Sequence, residues 1–147
     1  MKIVYNYSIA LVLLCFVNCS TKKELYQINC VSIENEGYVK LKITNLIKPL
    51  EYQIESANKD ALKTILYSGY TSTQCQTQKA LLRQPTDIEN FKKIESNFFS
   101  NKGVWKTFVR NATNEQNATG FEIMVNKDQL RKYLEEKQII KSLNNGF

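Results

Sequence analysis

Apolar and polar residues alternate most regularly between Tyr38 and Thr44. Three apolar and three polar side chains fall on opposite faces: Val39, Leu41 and Ile43, and Lys40, Lys42 and Thr44. This period of two predicts a strand with one buried face and one solvated face. Residues 25–33 predict an extended segment before it, and residues 34–37, which end in Gly37, have the composition of a hairpin turn.

The pattern changes to a helical period after residues 45–49. Apolar side chains recur every three or four residues: Leu50, Ile54, Ala57, Ala61 and Ile65. The spacing predicts an amphipathic helix that stops at Gly69. Because two of these residues are small alanines, the helix is expected to approach and cross the sheet closely.

The second half of the chain predicts two more helices and two more strands. Thr86 and Glu89 have the spacing of a capping box, which predicts a helix from there to residues 101–103. Residues 104–109 and 121–125 predict strands that flank a polar hairpin connection over residues 111–120. Asn126 is expected to cap a last helix from about residue 128 to residue 141.

The order strand, strand, helix, helix, strand, strand, helix predicts an α+β domain. We expect an antiparallel sheet of about four strands with two or three helices packed on it. Residues 25–147 are expected to form this single domain.

Residues 1–18 have the features of an export signal. Lys2 is followed by an uninterrupted apolar run over residues 9–17, which is too short for a membrane span and fits a secretory signal. The sequence Phe16-Val17-Asn18-Cys19 resembles a bacterial lipobox, although Asn18 replaces the usual Gly or Ala. The resemblance implies cleavage before Cys19, acylation of its thiol with fatty acids such as palmitate, and a lipidated tether over residues 19–24.

Cysteine usage leaves one pair in the exported domain. Once Cys15 is removed with the signal and Cys19 carries lipid, Cys30 and Cys75 remain in an oxidising compartment. They form either a disulfide or two independent buried thiols.

Composition narrows the possible activities. The chain has no histidine, so Ser-His and Cys-His nucleophile pairs, a histidine base and the usual catalytic zinc site are absent. We expect no catalytic residues, no metal and no cofactor. The formal net charge of +6 is spread among acidic residues without long basic runs, which argues against nucleic-acid binding.

Candidate binding features are a loop and a few aromatic side chains. Residues 71–85 are rich in Thr and Gln and lack periodicity, as expected of a long functional or mobile loop. Tyr26, Tyr38 and Trp105 are the candidate partner-binding residues. Trp105 and neighbouring phenylalanines could also line a ligand groove, although such residues more often belong to a core.

Three stretches resemble a group of uncharacterised Bacteroidetes-type lipoproteins. They are the helix ESANKDALKTILYSG, the segment NFF, and the ending LRKYL to IIKSL, at residues 55–69, 97–99 and 130–143. More remotely, the element order is similar to small outer-membrane lipoprotein domains related to the N-terminal domain of flagellar assembly protein T. The resemblance spans most of residues 38–147, carries no catalytic residue across, and implies a cell-envelope accessory protein.

Two classes of function remain open on this sequence. One is a periplasm-facing assembly or scaffolding module that docks on an envelope protein through a sheet edge or the loop over residues 71–85. The other is a ligand-binding or toxin-neutralising lipoprotein of the immunity type. The segment Ser20-Thr21-Lys22-Lys23-Glu24 lacks patterns that resemble surface-export or inner-membrane retention signals. We therefore expect a lipid anchor in the outer membrane, on its periplasmic face.

Overall fold

The computed structural model describes residues 27–44, 54–111 and 120–142. Within these ranges, four strands and three α-helices follow one another in the order β1, β2, α1, α2, β3, β4, α3. Their bounds are β1 Gln27–Ile33, β2 Tyr38–Thr44, α1 Ile54–Lys63, α2 Pro85–Phe98, β3 Val109–Asn111, β4 Gly120–Asn126 and α3 Lys127–Glu136. The predicted α+β class and element order are confirmed.

The strands form one antiparallel sheet in the order β1-β2-β4-β3. The central strands β2 and β4 pair along their whole length, from Tyr38 opposite Asn126 to Thr44 opposite Gly120. The pairing of β1 with β2 shifts between Cys30 and Ser32, which is the geometry of a β-bulge. Strand β3 is short, so β1 is the longer of the two edge strands.

The core lies between one face of the sheet and the helices. Val39, Leu41 and Ile43 are buried there, as the alternation predicts, together with Ile123 and Val125 of β4. Lys40 and Lys42 are only partly buried on the opposite face. The alternation along β2 therefore predicted correctly which of its side chains face the core.

Helix α1 packs on β2 and β4. Ala57 and Ala61 are completely buried, because a methyl side chain lets the helix axis approach the strands. A π-helical turn over Thr64–Ser68 continues α1, and Gly69 ends it with a φ of 72°, a conformation that glycine adopts without a steric penalty. The predicted crossing helix and its glycine stop are confirmed.

Two local predictions were wrong. Residues 104–108 form a 3₁₀ helix, and only Val109–Asn111 is a strand, because Trp105 and Phe108 turn into the core rather than alternating across a sheet.

Helix α2 begins at Pro85, not after Thr86. The Asp87 carboxylate accepts the N–H groups of Arg83 and Gln84 at 3.1 and 3.0 Å, so it supplies the cap that was assigned to Thr86 and Glu89.

Asn126 caps α3, as predicted. Its side-chain oxygen accepts the N–H of Gln129 at 2.9 Å and thereby satisfies one of the free amides at the helix start.

We expect Asn126→Ala to lower the free energy of unfolding by about 1 kcal/mol, because the alanine cannot accept that N–H. Asn126→Ser is the matched control, since its hydroxyl can still accept the bond. Urea unfolding of the two variants measures the difference. Equal stabilities of the alanine and serine variants would contradict the role of the cap.

Several predictions fall outside the described residues: the signal, Cys19, the tether, Tyr26 and most of the connection over residues 111–120. Among the helices of the described ranges, none combines the length and the apolar character needed to cross a membrane.

Candidate docking surface

A disulfide joins the middle of β1 to the loop between α1 and α2. Cys30 and Cys75 are bonded with a Cα–Cα distance of 6.0 Å, and they expose only 3% and 1% of their surface. Of the two states that the sequence left open, the structure has the disulfide. The bond brings together the two elements that the sequence offered for docking, a sheet edge and the loop.

Hydrogen bonds within the loop brace its tip. Tyr70 and Gln78 exchange backbone N–H···O bonds of 3.0 and 2.9 Å, which close the base of the loop tip. Within the tip, the Ser72 hydroxyl accepts the N–H groups of Gln74 and Cys75 at 3.2 and 3.1 Å. These contacts present residues 71–77 as a defined turn beside β1.

The second half of the loop is hydrogen-bonded to the π-helical turn that follows α1. The N–H groups of Leu81 and Leu82 donate to the carbonyls of Ile65 and Leu66, both at 3.0 Å. Both leucines are buried in the core. The loop therefore contributes to the hydrophobic core, although its sequence shows no periodicity that would have indicated it.

A polar contact fastens the loop base to α3. The Lys127 ammonium donates to Gln78 Oε1 at 2.7 Å and lies 5.8 Å from the centre of the Tyr70 ring. Burial lowers the pKa of Lys127, Asp128 opposes this effect, and Arg131 and Arg83 add to it. Burial, and next the charge of Asp128, raises the pKa of the Tyr70 hydroxyl. Sequence reasoning missed this contact, because 49 residues separate its partners.

Strand β1 is accessible along the sheet edge. Within the three described ranges it pairs with β2 alone. Gln27 and Asn29 are exposed, and Ile33 exposes 53% of its surface. An edge strand carries backbone N–H and C=O groups that can pair with another chain. We call β1 together with residues 71–77 the edge surface.

The edge surface carries no charge. Residues 27–33 and 64–78 contain no Asp, Glu, Lys or Arg, in a chain that is 23% charged. The surface therefore offers backbone groups, amides, hydroxyls and a few apolar side chains. Such chemistry suits main-chain pairing with an extended segment and does not select a charged ligand.

Two of the predicted partner-binding residues are buried. Tyr38 exposes 8% of its surface, because the Arg110 guanidinium lies over its ring at 5.0 Å. Trp105 exposes 2%, and its Nε1–H donates to the carbonyl of Ser100 at 2.9 Å. The expectation that Tyr38 is exposed was wrong, since the overlying cation covers its ring. Trp105 has the core position that the sequence favours for such aromatic residues.

The neighbouring aromatic residues belong to the core as well. Phe98, Phe108 and Phe121 are buried, and Phe98 packs against Phe108 and Tyr133. No exposed aromatic groove forms from these residues. In the described part of the chain, no group of His, Cys, Asp and Glu side chains could hold a metal ion.

The chain matches no protein-family model, and comparisons with curated proteins and with solved structures find no significant match. The resemblance to Bacteroidetes-type lipoproteins thus stays an expectation from the sequence.

Proposed function

We propose that the chain is a lipid-anchored, non-catalytic module of the cell envelope that docks on a protein partner through the edge surface. In this proposal Cys19 carries the lipid, and the domain faces the periplasm from the outer membrane. No cofactor or nucleic acid takes part.

The observation that carries the proposal is the disulfide-fixed edge surface. Cys30–Cys75 and the Tyr70–Gln78 pair hold the loop tip beside an accessible strand. The cores of protein interfaces are depleted of charged residues, and both parts of this surface are uncharged. A rigid docking element also loses less conformational entropy on binding than a mobile loop would.

The ligand-binding alternative loses its main support. It depends on aromatic side chains that line a pocket, yet Trp105, Phe98 and Phe121 are packed in the core. Nucleophilic mechanisms that depend on histidine are excluded, because the sequence has no histidine. We therefore favour docking over chemistry and over capture of a small molecule.

The test is cross-linking and affinity capture from native membranes with the full-length protein. Deleting the whole loop would unfold the domain, because Cys75, Leu81 and Leu82 are core residues. The sharper variant is Thr73→Lys with Gln74→Lys, which adds charge at two exposed tip positions. Its matched control is Ser96→Lys with Asn97→Lys, at two exposed positions of α2.

We expect wild type and the α2 control to capture the same defined envelope protein, and the loop variant to lose at least about 90% of it, because charges placed in an uncharged interface must be desolvated. Stoichiometric capture of a small molecule or an effector protein instead, without an envelope partner, would overturn the proposal.

A further inference from the structure

We propose that the partner at the edge surface is a second copy of this chain, joined through antiparallel pairing of the two β1 strands. Two four-stranded sheets would then form one continuous sheet. The inference rests on the docking function proposed above and names its partner.

The first argument is the lack of protection along β1. Natural edge strands usually carry lysines, prolines or inward-pointing charges that block pairing with another chain. Strand β1 contains none of these residues. Its bulge begins only after Cys30, so Gln27–Cys30 keeps a regular edge on which a second strand can pair.

The second argument is the symmetry of the pairing. Directly opposite residues of an antiparallel pair point to the same side of the sheet, so two identical strands pair around a two-fold axis perpendicular to the sheet. Asn29 is the middle of residues 28–30, which lie within the regular part of the edge before the bulge, and it is exposed. With the axis at Asn29, its amide faces the amide of the second copy, and Ile28 lies opposite Cys30 of that copy.

The third argument is charge. Without Lys2, which leaves with the signal, each mature copy has 19 basic and 14 acidic residues, a formal net charge of +5, and two such copies repel one another across most of their surfaces. A charged residue on the two-fold axis would face itself, and like charges directly opposite destabilise a strand pair. The uncharged strand and the uncharged run over residues 64–78 meet this requirement. An acidic partner would find no complementary charge there.

The fourth argument is the position of the anchor. Because the axis is perpendicular to the sheet, both copies turn the same sheet face in the same direction. The two Gln27 residues then lie at the same level along the axis, which lets the two proposed lipid anchors share one membrane. Confinement to that membrane raises the effective concentration of each copy for the other.

The experiment measures the mass of the mature, lipid-carrying protein by sedimentation equilibrium in detergent. Association in lipid vesicles is measured by energy transfer between labelled copies. Three single variants are compared: Asn29→Lys and Asn29→Glu at the proposed axis, and Asn97→Lys on α2 as the matched control. Fluorescence of Trp105, the only tryptophan, reports folding.

We expect wild type and Asn97→Lys to be dimers, and each Asn29 variant alone to dissociate at least about tenfold more readily, because like charges face each other. An equal mixture of Asn29→Lys and Asn29→Glu should restore the dimer, since opposite charges then meet across the axis. If an Asn29 variant does not fold, the Thr73→Lys, Gln74→Lys variant replaces it and is expected to be monomeric.

A monomeric wild type in both detergent and vesicles would overturn the inference. A dimer that persists in the folded Asn29 variants, or one that Asn97→Lys also abolishes, would overturn it too. If wild type is monomeric but still captures an envelope protein in a loop-dependent way, docking on a different partner stands. If it does neither, both proposals fail.

Discussion

A variant with alanine at both Cys30 and Cys75 is expected to lose about 4 kcal/mol of its free energy of unfolding. The bond closes a loop with a sequence separation of 45 residues, and a cross-link over such a distance strongly restricts the unfolded chain. The same variant should also lose the link between the loop tip and β1, because Cys75 is the residue through which the tip is bonded to that strand.

Urea unfolding followed by the fluorescence of Trp105 measures this loss, since the indole is buried in the native state. The single variant Cys30→Ala serves as a control for the cross-link, because it also breaks the bond and should lose nearly as much. Reductant added to the folded wild type should act slowly, since both sulfur-bearing side chains are buried. A double variant within about 1 kcal/mol of wild type would contradict the account.

The central sheet could be predicted from the sequence because helices pack on one of its faces and the other face is exposed to solvent. The alternation along β2 is a direct consequence of that arrangement, and the bounds Tyr38–Thr44 follow from it. The same holds for Asn126, whose side chain acts on an amide three residues away. Both of these signals depend on residues that are close together in the sequence.

Elements shaped by distant contacts could not be predicted in this way. The aromatic and β-branched content of residues 104–109 indicates a strand, yet burial of Trp105 and Phe108 imposes a 3₁₀ helix. Tertiary packing overrides the weak local preference of such a short segment. Tyr38 was expected at an exposed edge, whereas Arg110 from a different strand covers its ring.

The edge surface lies between these cases. Its parts, an extended segment and a loop without periodicity, were visible in the sequence. The bond that joins these two parts could not be predicted, because one sequence leaves the redox state of Cys30 and Cys75 open. The contact between Lys127 and Gln78 depends on partners 49 residues apart, for which no local signal exists.

The proposed lipid anchor is tested by replacing Cys19, whose thiol would carry the lipid. We expect Cys19→Ser to leave the membrane fraction, keep its signal and incorporate no palmitate, because a serine hydroxyl cannot take the place of the cysteine thiol in lipobox processing. Each methylene of an acyl chain buried in the bilayer contributes about 0.8 kcal/mol, so the several chains of the proposed anchor would hold the wild type on the membrane nearly permanently.

Cys15→Ser is the matched control, since Cys15 lies four residues before Cys19 and outside the lipobox. This variant should be processed, labelled by palmitate and retained on membranes like the wild type. Carbonate-washed membranes and the soluble fraction are compared by immunoblot, and the N-terminus of the mature protein is identified by mass spectrometry. If Cys19→Ser stays with the washed membranes, the chain is held there by something other than the lipid, and the proposed anchor at Cys19 is wrong.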